Sequence, residues 1–122
     1  MTIFITGASR GIGKFLFEKF SSENAKVFGT YHSENQELGK DKRFFRLDVT
    51  SFEEASEISE TLKSEIEKLV LINCAGNNYN SFAHKASQTE WKNVIDTNLT
   101  GTFNVIRAFL NRLFIYFTYY FL

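Results

Sequence analysis

Three glycines near the start of the chain, Gly7, Gly11 and Gly13, have a spacing that suits the binding of a phosphate group. An apolar run typical of a buried strand precedes them at residues 3–5, and a helical spacing of apolar residues follows. Glycine permits positive φ and close approach of the backbone, while the first N–H groups of a helix have no intrahelical partner. Three glycines alone also fit an ordinary tight turn. The flanking strand and helix favour an anion site, with a pyrophosphate against free amides just past Thr6.

The glycine spacing excludes the main competing phosphate motif. A P-loop has four residues between its glycines and then Lys-Ser or Lys-Thr. In this chain Ile12 occupies the position of the second glycine, and Lys14 is followed by Phe15. The sequence therefore favours a dinucleotide over a mononucleotide such as ATP.

Four motifs together resemble one enzyme family. Residues 6–13 resemble the Thr-Gly-x-x-x-Gly-x-Gly fingerprint of the short-chain dehydrogenase/reductases, whose members use NAD or NADP. Further matches follow in the family's order at residues 47–49 (Leu-Asp-Val), 73–76 (Asn-Cys-Ala-Gly) and 98–103 (Asn-Leu-Thr-Gly-Thr-Phe). Residues 29–35 look most like the 3-oxoacyl-(acyl-carrier-protein) reductases within it. The resemblance covers about residues 2–112.

The resemblance implies a set of cofactor-binding residues along these motifs. Asp48 is expected at the adenine edge and Val49 at a main-chain contact, although Asp48 also fits a helix-flanking acid. Asn73 is expected to steady the central sheet, while Ala75 and Gly76 pass near the cofactor ribose. The residues of the glycine turn expected to contact the cofactor are Gly7, Ala8, Ser9, Arg10, Gly11, Ile12 and Gly13.

The end of the second predicted strand favours NADP over NAD. NAD sites place an acid there for the ribose 2′-OH, whereas NADP sites place cations or hydroxyls. Here the end of the strand has Tyr31, His32 and Ser33, and the first carboxylate after them is Glu34. Arg10 supplies a planar donor group suited to phosphate. The alternative is that Arg10 is a solvated loop cation and His32 a surface residue.

The catalytic part of the resemblance is incomplete. Asn98 matches one member of the family's catalytic tetrad, whose main-chain carbonyl helps hold a water in a proton relay; on residue type alone it fits a cap or a kink. The resemblance also implies a Tyr proton donor, a Lys four residues later and a Ser. No tyrosine here has that lysine, since Tyr31 is followed by Asn35 and Tyr79 by Ala83 at that distance.

Two functions follow from these motifs. The first is an NADP-dependent oxidoreductase that transfers hydride between the cofactor and a small-molecule carbonyl or hydroxyl substrate, such as a 3-oxoacyl group, in a chain truncated before the catalytic Ser and Tyr-x-x-x-Lys. The alternative is a non-catalytic nucleotide-binding fragment or a partner-binding protein. The resemblance also implies that full-length relatives form homo-oligomers.

The elements that must position these residues alternate between strand and helix. The pattern predicts strands at residues 3–5, 25–31, 43–47 and 69–73 and helices from Ile12, after Ser51 and after Ser87. This alternation predicts an α/β protein with the three-layer half-sheet of a Rossmann-like fold, in strand order 3-2-1-4. The residues predicted to form one face of the first helix are Ile12, Phe15, Leu16 and Phe20.

Composition narrows the class of protein. Lys plus Arg and Asp plus Glu are both 14, so no net field favours nucleic acid or an anionic membrane. Cys74 is the single cysteine, which excludes an internal disulfide, and with His32 and His84 it shows no metal-ligand spacing. The first predicted strand begins almost at Met1, without a basic leader. We therefore expect a cytoplasmic protein without a metal.

The chain is predicted to have a partial Rossmann domain at residues 1–112 and an apolar aromatic tail at residues 113–122. The tail is too short for a membrane-spanning helix, which takes ~20 residues. We interpret it as non-native or disordered sequence, with a weak membrane-surface anchor as the alternative. The fourth strand is then expected to be an apolar edge of the sheet.

Overall fold

The computed structural model describes residues 1–112 and the backbone of residues 119–121. Predictions made for the rest of the tail, residues 113–118 and 122, lie outside the described residues. No helix in the described part of the chain is long and apolar enough to cross a membrane.

Five parallel strands of the described residues form one sheet. Their bounds are β1 Thr2–Thr6, β2 Lys26–Tyr31, β3 Phe44–Arg46, β4 Leu69–Asn73 and β5 Tyr119–Phe121. In the same part of the chain, four α-helices accompany them, with bounds α1 Gly11–Ser22, α2 Phe52–Thr61, α3 Gln88–Ile95 and α4 Thr102–Phe109. A π-helical turn, Asp96–Gly101, joins α3 to α4.

The strand order is β3-β2-β1-β4-β5. It contains the predicted order 3-2-1-4, and the predicted Rossmann-like α/β fold class is confirmed. The expectation that β4 forms an edge is wrong for its second half, because Leu71–Asn73 pair in parallel with Tyr119–Phe121 of β5. The tail residues of β5 therefore supply the backbone partners that β4 was expected to lack.

Two apolar clusters on opposite faces of the sheet define three layers. On one face, Phe17 of α1 packs with Ile3 and Ile5 of β1. On the other, Phe4 of β1 packs with residues of α2 and α4, and its ring centroid lies 4.6 Å from that of Phe109. Alternate side chains of β1 thus enter different clusters, as the period of a strand requires.

The predicted buried face of α1 is wrong at two positions. Ile12 is 61% exposed and Phe15 is 63% exposed, whereas Gly13 and Phe17 are buried. Leu16 and Phe20 lie against the core, as predicted. The helix is rotated because Gly13 packs directly on the preceding turn, which turns Ile12 away from the sheet.

The helices predicted after Ser51 and after Ser87 both begin with a serine N-cap. The Ser51 Oγ accepts from the Glu54 N–H at 3.2 Å, and Ser87 does the same for Glu90 at 3.4 Å. The Glu54 carboxylate does not return to Ser51; it accepts from the Asp48 N–H at 2.8 Å. This hydrogen bond links the first turn of α2 to Asp48, which follows β3 in the chain.

Candidate functional site

The turn between β1 and α1 has the backbone conformation that its glycines predict. Gly7 and Gly11 have φ of +65° and +57°, a region that other residues enter at a cost. Arg10 is the N-cap residue of α1, and its side chain makes no capping hydrogen bond. The first helical hydrogen bond runs from the Lys14 N–H to the Arg10 carbonyl, at 3.2 Å. The amides of residues 11–13 therefore precede the helical ladder and are available to an anion.

Gly13 is required by close packing. A Cβ on Gly13 would lie 2.2 Å from the Gly7 carbonyl oxygen, which is far below any van der Waals contact. At Gly11, by contrast, a Cβ would meet no atom within 4 Å. The turn is therefore closed towards the sheet at Gly13 and open at Gly11.

Two threonine hydroxyls fix the ends of the central strands. The Thr30 Oγ accepts from the Gly7 N–H at 3.1 Å, and the Thr30 carbonyl accepts from the Ala8 N–H at 2.7 Å. The Gly7 and Ala8 amides are thus bound to β2, and the free amides of the turn are those at the start of α1. The Thr6 Oγ accepts from the N–H groups of Cys74 and Ala75, both at 3.1 Å. Sequence reasoning missed both roles.

A cavity of about 640 Å³ lies at the carboxyl edge of the sheet, over this turn. It brings together every predicted cofactor-binding residue except Ala8, which is buried in the core, and Asn73. The lining residues are Gly7, Ser9, Arg10, Gly11, Ile12, Gly13, His32, Ser33, Glu34, Asn35, Leu47, Asp48, Val49, Cys74, Ala75, Gly76, Asn77 and Thr97. The lining residues that were not predicted to contact the cofactor are Ser33, Glu34, Asn35, Leu47, Cys74, Asn77 and Thr97.

A pair of titratable side chains stands at one end of this cavity. The His32 Nε2 lies 3.8 Å from the Asp48 Oδ2, beyond hydrogen-bond distance but within reach of an ion pair. The Asp48 Oδ1 accepts from the Thr50 Oγ at 2.7 Å and from the Thr50 N–H at 2.9 Å. The hydroxyl bond above all lowers the pKa of Asp48, with smaller contributions from His32 and Arg46. Asp48 is therefore a carboxylate at neutral pH.

Arg46, at the end of β3, supports the same end of the site. Its Nε donates to the main-chain carbonyl of His32 at 3.2 Å, so it holds the residue that follows β2. Arg46 was predicted only as part of a strand, because a β3–β2 contact of this kind depends on sheet register. Arg10 lines the same cavity as His32, whereas Arg46 contacts the main chain of His32.

Asn98 lies in the π-helical turn and holds the loop after β4 with its side chain. Its Oδ1 accepts from the Asn77 N–H, and its Nδ2 donates to the Asn77 carbonyl, both at 2.8 Å. The Asn98 carbonyl accepts from the Thr102 Oγ at 2.8 Å. Of the two interpretations on residue type alone, a cap or a kink, the π turn fits the kink.

A second cavity, of about 440 Å³, lies between the end of β4 and the start of α4. Asn73 and Cys74 line it together with Asn98 and Phe103. The buried Asn73 Oδ1 has no hydrogen-bond partner among the described residues, so its expected role in steadying the sheet stays a prediction. Burial raises the pKa of the Cys74 thiol, which favours the protonated form.

The parallel sheet with a glycine turn, a helix N-terminus and a cavity at its carboxyl edge defines a Rossmann-type α/β protein. The family model described as short chain dehydrogenase matches residues 1–115. The chain belongs to this family, as the sequence motifs predicted.

Named relatives support the same conclusion. The chain is 32% identical over 111 residues to the 3-oxoacyl-(acyl-carrier-protein) reductase FabG of Escherichia coli, which covers 85% of this chain and 46% of that protein. It is similar to the solved structure of ElxO with NADP bound, with 28% identity and a TM-score of 0.77 over 90% of this chain and 49% of ElxO. A short chain dehydrogenase from Leptospira borgpetersenii with bound NAD⁺ has 29% identity and a TM-score of 0.77, covering 90% of this chain and 44% of that one. The chain spans about half the length of these relatives.

Proposed function

We propose that residues 1–112 bind NADP as the cofactor-binding part of a short-chain oxidoreductase. One observation carries the proposal. The cavity at the carboxyl edge joins the open N-terminus of α1 to an end that Arg10 and His32 both line. Similar solved structures hold NADP in one case and NAD⁺ in another, so the choice of NADP depends on this chain's own residues.

The residues present fit a dinucleotide along the cavity. The free amides of residues 11–13 would hold the pyrophosphate, and the open space at Gly11 leaves room for it. Asp48 and Val49 would contact the adenine end, and Ala75 and Gly76 would pass the ribose at the other end. The bound cofactor supplies hydride chemistry, which protein side chains do not carry.

The adenosine end favours a 2′-phosphate. β2 ends at Tyr31, and the next residue, His32, lines the cavity in the place where an NAD site has an acid. Glu34 also lines the cavity, but from an exposed loop two residues further on. If NAD is the cofactor instead, Glu34 is the carboxylate that would accept from its ribose 2′-OH.

Calorimetric titration with NADP⁺ and NAD⁺ tests this choice. We expect tighter binding of NADP⁺, and Arg10→Gln should weaken NADP⁺ about tenfold while changing NAD⁺ little, because a charge-assisted phosphate contact is lost. Lys14→Gln is the matched control, since Lys14 pairs with Glu18 at 3.8 Å and does not line the cavity. Equal affinity for the two cofactors, or a preference for NAD⁺, would overturn the proposal.

For the reaction, we propose reversible hydride transfer between NADPH and a carbonyl group, with 3-oxoacyl compounds as the first class to test. The similarity to a 3-oxoacyl reductase supports this substrate class. Asn98 would contribute its main-chain carbonyl to a proton relay; one acceptor position of that carbonyl is taken by Thr102.

A second candidate is nucleotide binding without turnover. It is favoured by the 122-residue sequence, in which no tyrosine is followed four positions later by lysine. The two candidates differ in one assay, the oxidation of NADPH in the presence of a 3-oxoacyl thioester. Turnover supports the oxidoreductase, whereas binding of NADP⁺ without turnover supports the second candidate.

A further inference from the structure

Histidine is the residue type that can carry or lack a charge near neutral pH, and His32 is the one histidine that lines the described cavity. It follows β2 directly, and its imidazole is 71% exposed, so protons exchange freely with it. Its position does not depend on its charge, because the Arg46 Nε holds its main-chain carbonyl at 3.2 Å. Protonation therefore changes the charge of this subsite without moving its backbone.

The surrounding fixed charges balance. Arg10 on the cavity wall and Arg46 on β3 are positive, while Glu34 on the following loop and Asp48 after β3 are negative. The lowered pKa of Asp48 keeps that carboxylate charged across the neutral range. The sign of the local charge is thus decided by His32: it is near zero when the imidazole is neutral and positive when it is protonated.

The two cofactors differ at this end by a single group of high charge. The 2′-phosphate of NADP carries nearly two negative charges at pH 7, while the 2′-OH of NAD carries none. A protonated imidazole attracts the phosphate and leaves the hydroxyl almost unaffected.

We propose that His32 makes the choice between NADP and NAD depend on pH, with NADP preferred more strongly when the imidazole is protonated. This inference rests on the proposed binding of a nicotinamide dinucleotide in the cavity. The Asp48 Oδ2 lies 3.8 Å from the imidazole Nε2, within ion-pair distance of a protonated His32.

The test is the ratio of the dissociation constants of NAD⁺ and NADP⁺, measured by calorimetry at pH 6.0 and 8.0. The 2′-phosphate itself loses a proton near pH 6, which by itself raises the preference for NADP⁺ as the pH rises. The effect of His32 has the opposite sign. His32→Gln, which cannot be protonated, reports the phosphate alone and is the matched control.

We expect the wild-type ratio at pH 6.0, relative to pH 8.0, to exceed that of His32→Gln by about fivefold, the size of an exposed charge pair near 4 Å. His32→Arg should keep a high preference for NADP⁺ at both pH values, since its charge is permanent. Superimposable pH profiles of wild type and His32→Gln would overturn the inference and leave the proposed function intact. Failure of the wild type to bind either cofactor would overturn both.

Discussion

Gly13 is the residue at which the first helix touches the turn that precedes it. Replacement by alanine puts a methyl carbon 2.2 Å from the Gly7 carbonyl oxygen, which is backbone and cannot rotate away. We expect Gly13→Ala to lower the free energy of unfolding by about 1–3 kcal/mol through overpacking, measured by urea unfolding.

Gly39→Ala is the control for this prediction. Its Cβ would lie 3.4 Å from the Tyr31 hydroxyl, an ordinary contact, so we expect a change within about 0.5 kcal/mol. Equal stability of the two variants would show that the turn can shift away from α1.

Asp48 carries the clearest pH dependence among the described carboxyl groups of the site. Its pKa is lowered in the folded protein, so it stabilises the fold above about pH 3.9 and this contribution is lost as the pH falls below that value. Thr50→Val removes the hydroxyl donor at 2.7 Å. We expect a higher Asp48 pKa and a smaller loss of stability on acidification.

The measurement is the carboxyl ¹³C shift of Asp48 as a function of pH. Thr61→Val serves as control, because the Thr61 hydroxyl donates to the main-chain carbonyl of Glu57 and not to a carboxylate. An Asp48 midpoint that is the same in Thr50→Val as in the wild type would refute the assigned cause.

At the scale of elements, the N-terminus of α2 depends on Ser51. The Ser51 Oγ accepts from the Glu54 N–H at 3.2 Å, and we expect Ser51→Ala to cost about 1 kcal/mol in urea unfolding. The exposed Ser64, which follows the helix, is the matched position, and Ser64→Ala should change stability by less than about 0.5 kcal/mol. A cost for Ser64→Ala as large as that for Ser51→Ala would argue against the cap.

The elements that sequence predicted well are those with a local cause. The strand at residues 69–73 is a continuous apolar run, and the turn at Gly7 and Gly11 requires positive φ, so each is visible in a few residues. The buried face of α1 was not predicted correctly. Phe15, Phe17 and Phe20 allow more than one buried helical face, and only the packing at Gly13 selects among them.

The candidate site likewise contains residues that the sequence predicted and residues that it did not. Most residues of the cavity wall belong to short motifs and were predicted from them. The residues that hold the wall act across long sequence distances: Thr30 binds Gly7, and Asn98 binds Asn77. Such pairs depend on strand register and helix position, which a single sequence does not specify.

At the scale of the whole molecule, Phe4 of β1 packs against Phe109 of α4. Both rings are fully buried, with centroids 4.6 Å apart. We expect Phe109→Ala to lower the free energy of unfolding by about 3–5 kcal/mol, through lost burial and the cavity left behind. This is a large share of a typical domain's stability.

The matched variant is Phe82→Ala. Phe82 is 74% exposed in the loop after β4, so we expect a change within about 0.5 kcal/mol when unfolding is followed by circular dichroism. A small effect of Phe109→Ala, similar to that of Phe82→Ala, would mean that α4 contributes little to the core.

The central place of β1 in the sheet has a consequence for synthesis. β1 leaves the ribosome before the other four described strands, yet one of its two neighbours begins only at Leu69. A nascent chain must therefore carry the apolar strand β1 with one side unpaired until the residues of β4 have emerged. Contacts so distant in sequence form slowly, and exposed strands invite association with other chains. The period of greatest need for a chaperone is thus determined by the order of the strands.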